Sequence, residues 1–256
     1  MTGERSTGEF LEQYYDILVD WDRRLAHESP FFQRAFQSVH AKSVLDCACG
    51  TGHHACLFAR WGMEVAGSDV SAEMVRRSEH LAATQSLSIE FQQASFDALS
   101  STFSEPFDTA VCVGNSLAAA GKRRIVAEGI RQMHELLRPG GAVIIQVINF
   151  ERFPPGENVY GDPVHREHVG QNYIFLKTFR RAGTTCDLDI LMLTSGATDT
   201  WTRTVFRERL LVLDSASLVG MLEQAGFGKI KLYGGYEMTA FDPRVSRDLI
   251  AVARRE

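Results

Sequence analysis

The chain has 256 residues, of which 45% are hydrophobic and 10% aromatic, enough to fill the core of one large or two small globular domains. This composition excludes fibrous and disordered chains. The 27 basic and 32 acidic residues give a formal charge of −5, which disfavours nucleic acid as the main partner. The apolar runs are shorter than the roughly 20 residues that span a bilayer, and the first nine residues are polar. We therefore expect a soluble, cytoplasmic protein without a membrane partner.

The five cysteines are an odd number, and four of them lie in apolar or glycine-rich segments, so reduced thiols are expected. Two of these, Cys47 and Cys49, stand near His53 and His54 and invite a zinc interpretation. No second pair of ligands completes a tetrahedral set, so the sequence predicts no metal site.

Predicted strands alternate with predicted helices through the first 148 residues, and this order is typical of a parallel sheet. The predicted strands are Lys42–Cys47, Met63–Ser68, Leu87–Gln92, Phe107–Asn115 and Ala142–Ile148. The predicted helices between them are Ala55–Trp61, a helix that Ser71 caps and that ends near Ala83, and one from about Ile125 to Leu137.

Near the end of the chain a further helix, Ser215–Ala225, precedes two more strands, Lys229–Tyr233 and Leu249–Arg254. The intervening segment 149–213 has a different character, because polar and apolar residues alternate in it. Its three alternating runs, with turns at Gly183 and Gly196, predict a three-stranded antiparallel meander laid over the parallel sheet. The runs are Tyr173–Arg181, Cys186–Thr194 and Thr202–Leu213.

A glycine-rich loop follows the first strand in the pattern Gly50-x-Gly52-x-x-Ala55, and Asp69 ends the second strand. In this context the glycines allow close approach of a nucleotide ligand, and the acid binds ribose hydroxyls. Asp46 lies at the end of the first strand, where it would repel a dinucleotide pyrophosphate but attract the ammonium group of S-adenosylmethionine. The acid favours S-adenosylmethionine as the cofactor.

Several segments then resemble the motifs of the class I S-adenosylmethionine-dependent methyltransferases. Val44–Gly52 is similar to their motif I, and Gly67–Met74 to their second-strand motif. Gln93–Phe96, Leu136–Gly141 and Ala225–Phe227 resemble their adenine contact, the turn before strand five and the approach to strand six.

The resemblance implies an α/β, Rossmann-like sheet of seven strands in the order 3-2-1-4-5-7-6, with strand seven antiparallel and the meander inserted after strand five. It divides the chain into N-terminal lid helices in residues 1–40, a cofactor domain in 41–148 and 214–256, and a substrate-binding insertion in 149–213. The implied cofactor is S-adenosylmethionine, with S-adenosylhomocysteine as its product.

By resemblance, Asp46 and Gly50 hold the methionyl end, Asp69 the ribose, and Val70 and Met74 the adenine faces. Ser95 replaces the Asp that many relatives use for the adenine amino group, and its hydroxyl makes a weaker contact. The complete cofactor set so implied is Asp46, Ala48, Gly50, Gly52, Asp69, Val70, Met74, Ser95, Phe96, Val113, Gly114, Arg24 and Trp21.

Tyr14–Leu25 predicts one amphipathic helix that resembles the N-terminal lid of the glycine/sarcosine N-methyltransferase group. By that resemblance Arg24 binds the cofactor carboxylate and Tyr14 faces the site, since an arginine fork matches a carboxylate. The alternative is an ordinary amphipathic helix with solvated arginines and Trp21 in the core.

Two further catalytic candidates accompany Tyr14. Asn115 follows strand four, where relatives contact the methionyl backbone and the nucleophile; alternatively it forms a tight turn. Arg203 alternates with Arg207 and Arg209 along one predicted strand, so a substrate carboxylate would find arginines on one face. The alternative is a solvated, charged strand.

The sequence thus predicts a methyltransferase acting on a small molecule, by in-line displacement at the nitrogen of a small amine or amino acid of the glycine/sarcosine type. The lid helix, Asn149–Arg152 and the meander are the expected acceptor pocket. The alternatives are O-methylation of a metabolite, a dinucleotide-dependent oxidoreductase, or a cofactor-binding module without turnover. A homo-oligomer is possible.

Overall fold

The computed structural model describes residues 5–196 and 200–256, so residues 1–4 of the predicted lid segment and 197–199 of the predicted insertion lie outside it. The helices are α1 (Thr7–Leu18), α2 (Trp21–Gln37), α3 (His53–Arg60), α4 (Ala72–Thr84), α5 (Leu99–Thr102), α6 (Ser116–Ala119), α7 (Arg123–Glu135) and α8 (Ser215–Gln224). The strands are β1 (Arg5–Ser6), β2 (Ser43–Cys47), β3 (Glu64–Asp69), β4 (Glu90–Gln93), β5 (Phe107–Cys112), β6 (Leu137–Ile148), β7 (Asn158–Tyr160), β8 (Val164–His168), β9 (Gln171–Ala182), β10 (Thr185–Ser195), β11 (Trp201–Leu211), β12 (Phe227–Tyr233) and β13 (Asp248–Arg255).

The described chain divides into two compact units. We call residues 22–152 and 213–256 the sheet unit, and the residues up to Trp21 together with Phe153–Val212 the meander unit. The predicted lid segment 1–40 is therefore shared between the two units, with α1 in one and α2 from Asp22 onward in the other.

The sheet unit contains a seven-stranded sheet in the order β12-β13-β6-β5-β2-β3-β4. β13 is antiparallel to both of its neighbours, and the other adjacent strands are parallel. If the strands of this sheet alone are numbered 1 to 7 along the chain and read from β4 to β12, the order is 3-2-1-4-5-7-6. The predicted topology is therefore confirmed. The central strands are mostly apolar and are covered on both faces; every residue of β2 is buried, including the polar Ser43 and Asp46.

The predicted single helix Tyr14–Leu25 is wrong, because α1 ends at Leu18 and α2 begins at Trp21. Val19 is extended (φ −85°, ψ 124°), as β-branched residues prefer, and its N–H donates to the Tyr15 carbonyl at 2.9 Å. The indole Nε1 of Trp21 donates to Asp16 Oδ1 at 2.8 Å across the break. The amphipathic pattern continues through this corner, which is why periodicity alone did not predict it.

The predicted meander is present as β9, β10 and β11, joined in antiparallel register. Alternate side chains of β10 are buried, as a sheet with one apolar face requires. Phe10 of α1 packs its ring 4.8 Å from Phe206 and 5.9 Å from Phe175, centroid to centroid. β1, β7 and β8 extend this sheet to six strands, which the sequence pattern did not predict.

All five cysteines are free and buried. Within residues 5–196 and 200–256, no helix combines the length and the apolar character that crossing a membrane requires.

Candidate cofactor site

The loop between β2 and α3 follows a path that only small residues permit. Ala48, Gly50 and Gly52 all have positive φ, at 62°, 57° and 84°. A Cβ on Gly52 would lie 2.7 Å from Ser78 Cβ and 3.0 Å from its Cα, so α4 occupies the space of a side chain. The loop backbone therefore lies directly against α4 at the carboxyl edge of the sheet.

Asp69, at the end of β3, connects this loop to the start of α4 through its two carboxylate oxygens. Its Oδ2 accepts the Gly50 N–H at 3.0 Å, and its Oδ1 accepts the Ser71 N–H at 2.9 Å. Ser71 in turn caps α4, as predicted, since its Oγ accepts the Met74 N–H at 3.2 Å. The structure thus brings Asp69 and the glycine loop together as the fingerprint requires.

Asp46 lies in the next-to-last position of β2, only 2% exposed, with Gly67 and Val111 as its register partners on either side. Its Oδ2 is buried and has no hydrogen-bond partner among the described residues. Burial and the nearby charge of Asp69 raise the pKa of Asp46 to about 7, against the opposing effects of the Ala55 N–H and the charge of Arg24. Such a buried oxygen favours a cationic or hydrogen-bond-donating ligand.

Arg24, on α2, is partly exposed and binds a buried pair, Glu28 and His54, that the sequence did not predict. Its Nε donates to Glu28 Oε1 at 2.9 Å, and His54 Nε2 lies 2.6 Å from Glu28 Oε2. Glu28 is 4% exposed and His54 5%. His54, considered above for zinc, is thus bound to a carboxylate.

After β5 the chain turns sharply, with Val113 buried and Gly114 and Asn115 at positive φ of 78° and 73°. The Gly114 N–H donates to Gln146 Oε1 at 2.7 Å, and Asn115 Oδ1 accepts the Ile148 N–H at 2.8 Å. This geometry is what the tight-turn alternative for Asn115 requires, and its catalytic role stays a prediction.

The predicted adenine contacts lie on both sides of β4. Val70 exposes 68% of its surface, whereas Met74 is buried. Ser95 Oγ donates to Asp97 Oδ1 at 2.6 Å, so a carboxylate lies beside the predicted adenine contact. Phe96 packs against Gly129 of α7, where a Cβ would lie 2.7 Å from the Phe96 Cβ.

The remaining predicted residues belong to the meander unit. Tyr14 contacts Phe10, Tyr173 and Phe206, with ring centroids 5.9–6.3 Å apart. Trp21 donates to Asp16, and Arg203 is exposed on β11. Their roles at the site stay predictions.

The sequence analysis did not single out three polar residues of the sheet unit, Glu28, Gln146 and Asp248, although the position of Gln146 gave a signal. Gln146 is the one polar residue within the apolar run Ala142–Ile148, and its Nε2 donates to Asp248 Oδ1 at 2.8 Å. Burial raises the pKa of Asp248, while this hydrogen bond opposes the rise.

S-adenosylmethionine has an amino acid end, with an ammonium and a carboxylate, and these residues fit it. Asp46 offers a buried carboxylate oxygen without a partner, and Arg24 is a cation close enough for its charge to lower the pKa of Asp46. A carboxylate beside a guanidinium complements a zwitterionic group. The glycine loop follows Asp46 in sequence, and Asp69 binds it by accepting the Gly50 N–H.

Comparison with known proteins agrees with this geometry. Residues 44–141 match the family described as methyltransferase domain. The chain is 30% identical to a glycine/sarcosine N-methyltransferase of Parasynechococcus marenigrum over 151 residues, which cover 58% of this chain and about half (54%) of that enzyme. It is 24% identical to a glycine/sarcosine N-methyltransferase of Halorhodospira halochloris, over 94% of this chain and 88% of that one.

Among solved structures, an S-adenosylmethionine-dependent methyltransferase from Clostridium acetobutylicum superposes with a TM-score of 0.76. The superposition covers 97% of this chain and 98% of that one at 14% identity, so it establishes a shared fold. The matched segment 44–141, the shared fold and the fitted cofactor residues together support a class I S-adenosylmethionine-dependent methyltransferase, with S-adenosylmethionine as its cofactor.

Proposed function

We propose that the protein methylates the nitrogen of a small amine or amino acid of the glycine/sarcosine type. The observation that carries the proposal is the alignment with the Halorhodospira halochloris glycine/sarcosine N-methyltransferase, which includes the meander segment as well as the cofactor loop. The cofactor motifs alone would be shared with methyltransferases of any acceptor.

When bound, S-adenosylmethionine supplies a methyl group that the acceptor nitrogen attacks in line, forming a carbon–nitrogen bond as the carbon–sulfur bond breaks and leaves a neutral sulfide. Alignment of the two reactants contributes most to such a displacement. Asp46 and Arg24 would hold the amino acid end of the cofactor, and the Asp69 carboxylate would hold the glycine loop in place beside it.

An amine acceptor also has to lose a proton before or after it attacks, and Asp248 is our candidate for the group that accepts it. Asp248 is the first residue of β13 and pairs in register with Ile148, the last residue of β6. Gln146 connects it to the Gly114 N–H after β5, where relatives place the nucleophile. Its raised pKa brings it closer to that of a proton acceptor working near neutral pH.

The test is incubation with S-adenosylmethionine and a panel of acceptors, with S-adenosylhomocysteine and the methylated product measured by mass spectrometry. Glycine, sarcosine, small amines, phenols and carboxylic acids make up the panel. We expect turnover with amines or amino acids and a methyl group on nitrogen. Turnover with phenols or carboxylic acids alone would show an O-methyltransferase instead. S-adenosylhomocysteine binding without turnover on any acceptor would favour a cofactor-binding module.

A further inference from the structure

Glu28 is a buried carboxylate on α2 that contacts two functional elements at once. Its Oε1 accepts from Arg24 Nε at 2.9 Å, one helical turn away. Its Oε2 lies 2.6 Å from Nε2 of His54, a residue 26 positions later in the chain. An ionised carboxylate only accepts hydrogen bonds, so Nε2 of His54 carries the proton in this pair.

Aromatic rings pack around the buried part of this group. The Phe32 ring centroid lies 5.7 Å from that of His54 and 5.1 Å from that of Phe58. Tyr236 is buried and packs against Phe31 and Phe32. Burial acts to raise the pKa of Glu28, but hydrogen bonds from His54 and Arg24 and the charge of Arg24 hold it below its ordinary value. The carboxylate is therefore ionised at neutral pH.

The two partners of Glu28 lie on different helices, Arg24 on α2 and His54 on α3. His54 stands in the first turn of α3, two residues after Gly52, so it moves with the glycine loop. Arg24 stands on α2, and its charge reaches Asp46. One carboxylate thus fixes the distance between the cation on α2 and the loop that precedes α3.

We propose that Glu28 is a positioning residue for the cofactor: by binding Arg24 and His54 together, it sets the Arg24 guanidinium at the distance from Asp46 that the amino acid end of S-adenosylmethionine needs. The inference rests on the proposed role of Arg24 and requires nothing of the methyl acceptor. A merely structural Glu28, which only supplies a buried hydrogen-bond acceptor to Arg24 and His54, would stabilise the fold without distinguishing parts of the cofactor.

A pair of ligands separates these two roles. S-adenosylhomocysteine carries the amino acid end, and 5′-methylthioadenosine carries the adenosine and sulfur without it. Glu28→Gln keeps the shape of the side chain and removes its charge. By calorimetry we expect this variant to bind S-adenosylhomocysteine about 10–100-fold more weakly and 5′-methylthioadenosine within about twofold of wild type, as loss of one charged hydrogen bond predicts. Equal losses for both ligands, or no loss for either, would overturn the proposal.

Arg24→Gln is the matched variant, and it should reproduce the same ligand selectivity. Because Glu28 acts through Arg24, the double variant should bind S-adenosylhomocysteine no more weakly than Arg24→Gln alone. Additive losses would show that Glu28 acts by another route and would contradict the proposal.

His54→Asn serves if Glu28→Gln does not fold, because it retains the carboxylate and removes only one partner. We expect a smaller loss of affinity than for Glu28→Gln, again confined to S-adenosylhomocysteine. An equal loss of affinity for 5′-methylthioadenosine would contradict the proposal. These measurements contain no methyl acceptor, so their outcome is independent of whether the acceptor atom is nitrogen. With an acceptor in hand, Glu28→Gln should raise the KM for S-adenosylmethionine while kcat changes little.

Discussion

The sheet unit and the meander unit place their charged residues differently. In the sheet unit Asp46, Glu28 and His54 are each at most 5% exposed, and the pKa of each is shifted from its ordinary value. In the meander unit the charges of β10 and β11 pair at the surface, as Arg209 does with Asp187 at 2.8 Å. Buried charges require specific partners, whereas exposed pairs are interchangeable. The residues of the cofactor site are therefore easier to predict from the sequence than those of the acceptor site.

The largest difference between the two units should appear in the stability that each loses when a glycine is replaced by alanine. Gly52→Ala adds a Cβ at positive φ, 2.7 Å from Ser78 Cβ. We expect a loss of about 2–5 kcal/mol, combining left-handed strain of about 1–2 kcal/mol with overpacking of about 1–3 kcal/mol. Chemical denaturation measures the stability, and calorimetry should show weakened S-adenosylhomocysteine binding.

Gly183→Ala in the β9–β10 turn is the control. Gly183 also has positive φ, 60°, but nothing lies within 4 Å of its Cβ position. We expect only the strain of about 1–2 kcal/mol and unchanged cofactor affinity. Equal destabilisation by both variants would mean that the glycine loop is not packed against α4 as described.

A smaller effect is expected for the arginines of β11. If Arg203 binds a substrate carboxylate, Arg203→Gln should raise the KM for an amino acid acceptor about 10–100-fold, the value of one charged hydrogen bond. An amine without a carboxylate should react as before. Steady-state kinetics with an amino acid and with an amine that has no carboxylate give the two KM values that this prediction compares.

Arg209→Gln is its counterpart on the same strand. Arg209 is largely exposed and already paired with Asp187, so its loss should cost less than about 1 kcal/mol of stability and leave both KM values unchanged. Identical kinetics for Arg203→Gln and wild type would remove Arg203 from the acceptor site and support the alternative of a solvated strand.

The elements that were predictable from the sequence are those with local rules. The alternation of polar and apolar residues in β9 to β11 and the apolar run of β6 predict strands. The glycines after β2, followed by Asp69 at the end of β3, indicate a nucleotide-binding loop. The strand order came from resemblance, because pairing of distant strands leaves no local signal.

The residues that were missed depend on tertiary contacts. Glu28 lies three residues from both Leu25 and Phe31, on the buried face of α2, but that face became evident only when the helix was seen to run to Gln37. Its partner His54 is distant in sequence. The extended conformation of Val19 ends α1, and the hydrophobic period of the sequence does not show this break.

Calorimetry of S-adenosylhomocysteine binding to wild type and Asp46→Asn at pH 6, in two buffers of different ionisation enthalpy, tests the central claim about Asp46. With a pKa of about 7, Asp46 is mostly protonated at pH 6 in the free protein, and an arriving ammonium lowers that pKa. We predict release of about one proton by wild type, with affinity rising up to about pH 7, and about 10–100-fold weaker binding without proton release by the variant. Equally tight binding by Asp46→Asn, with the same proton balance, would contradict the account.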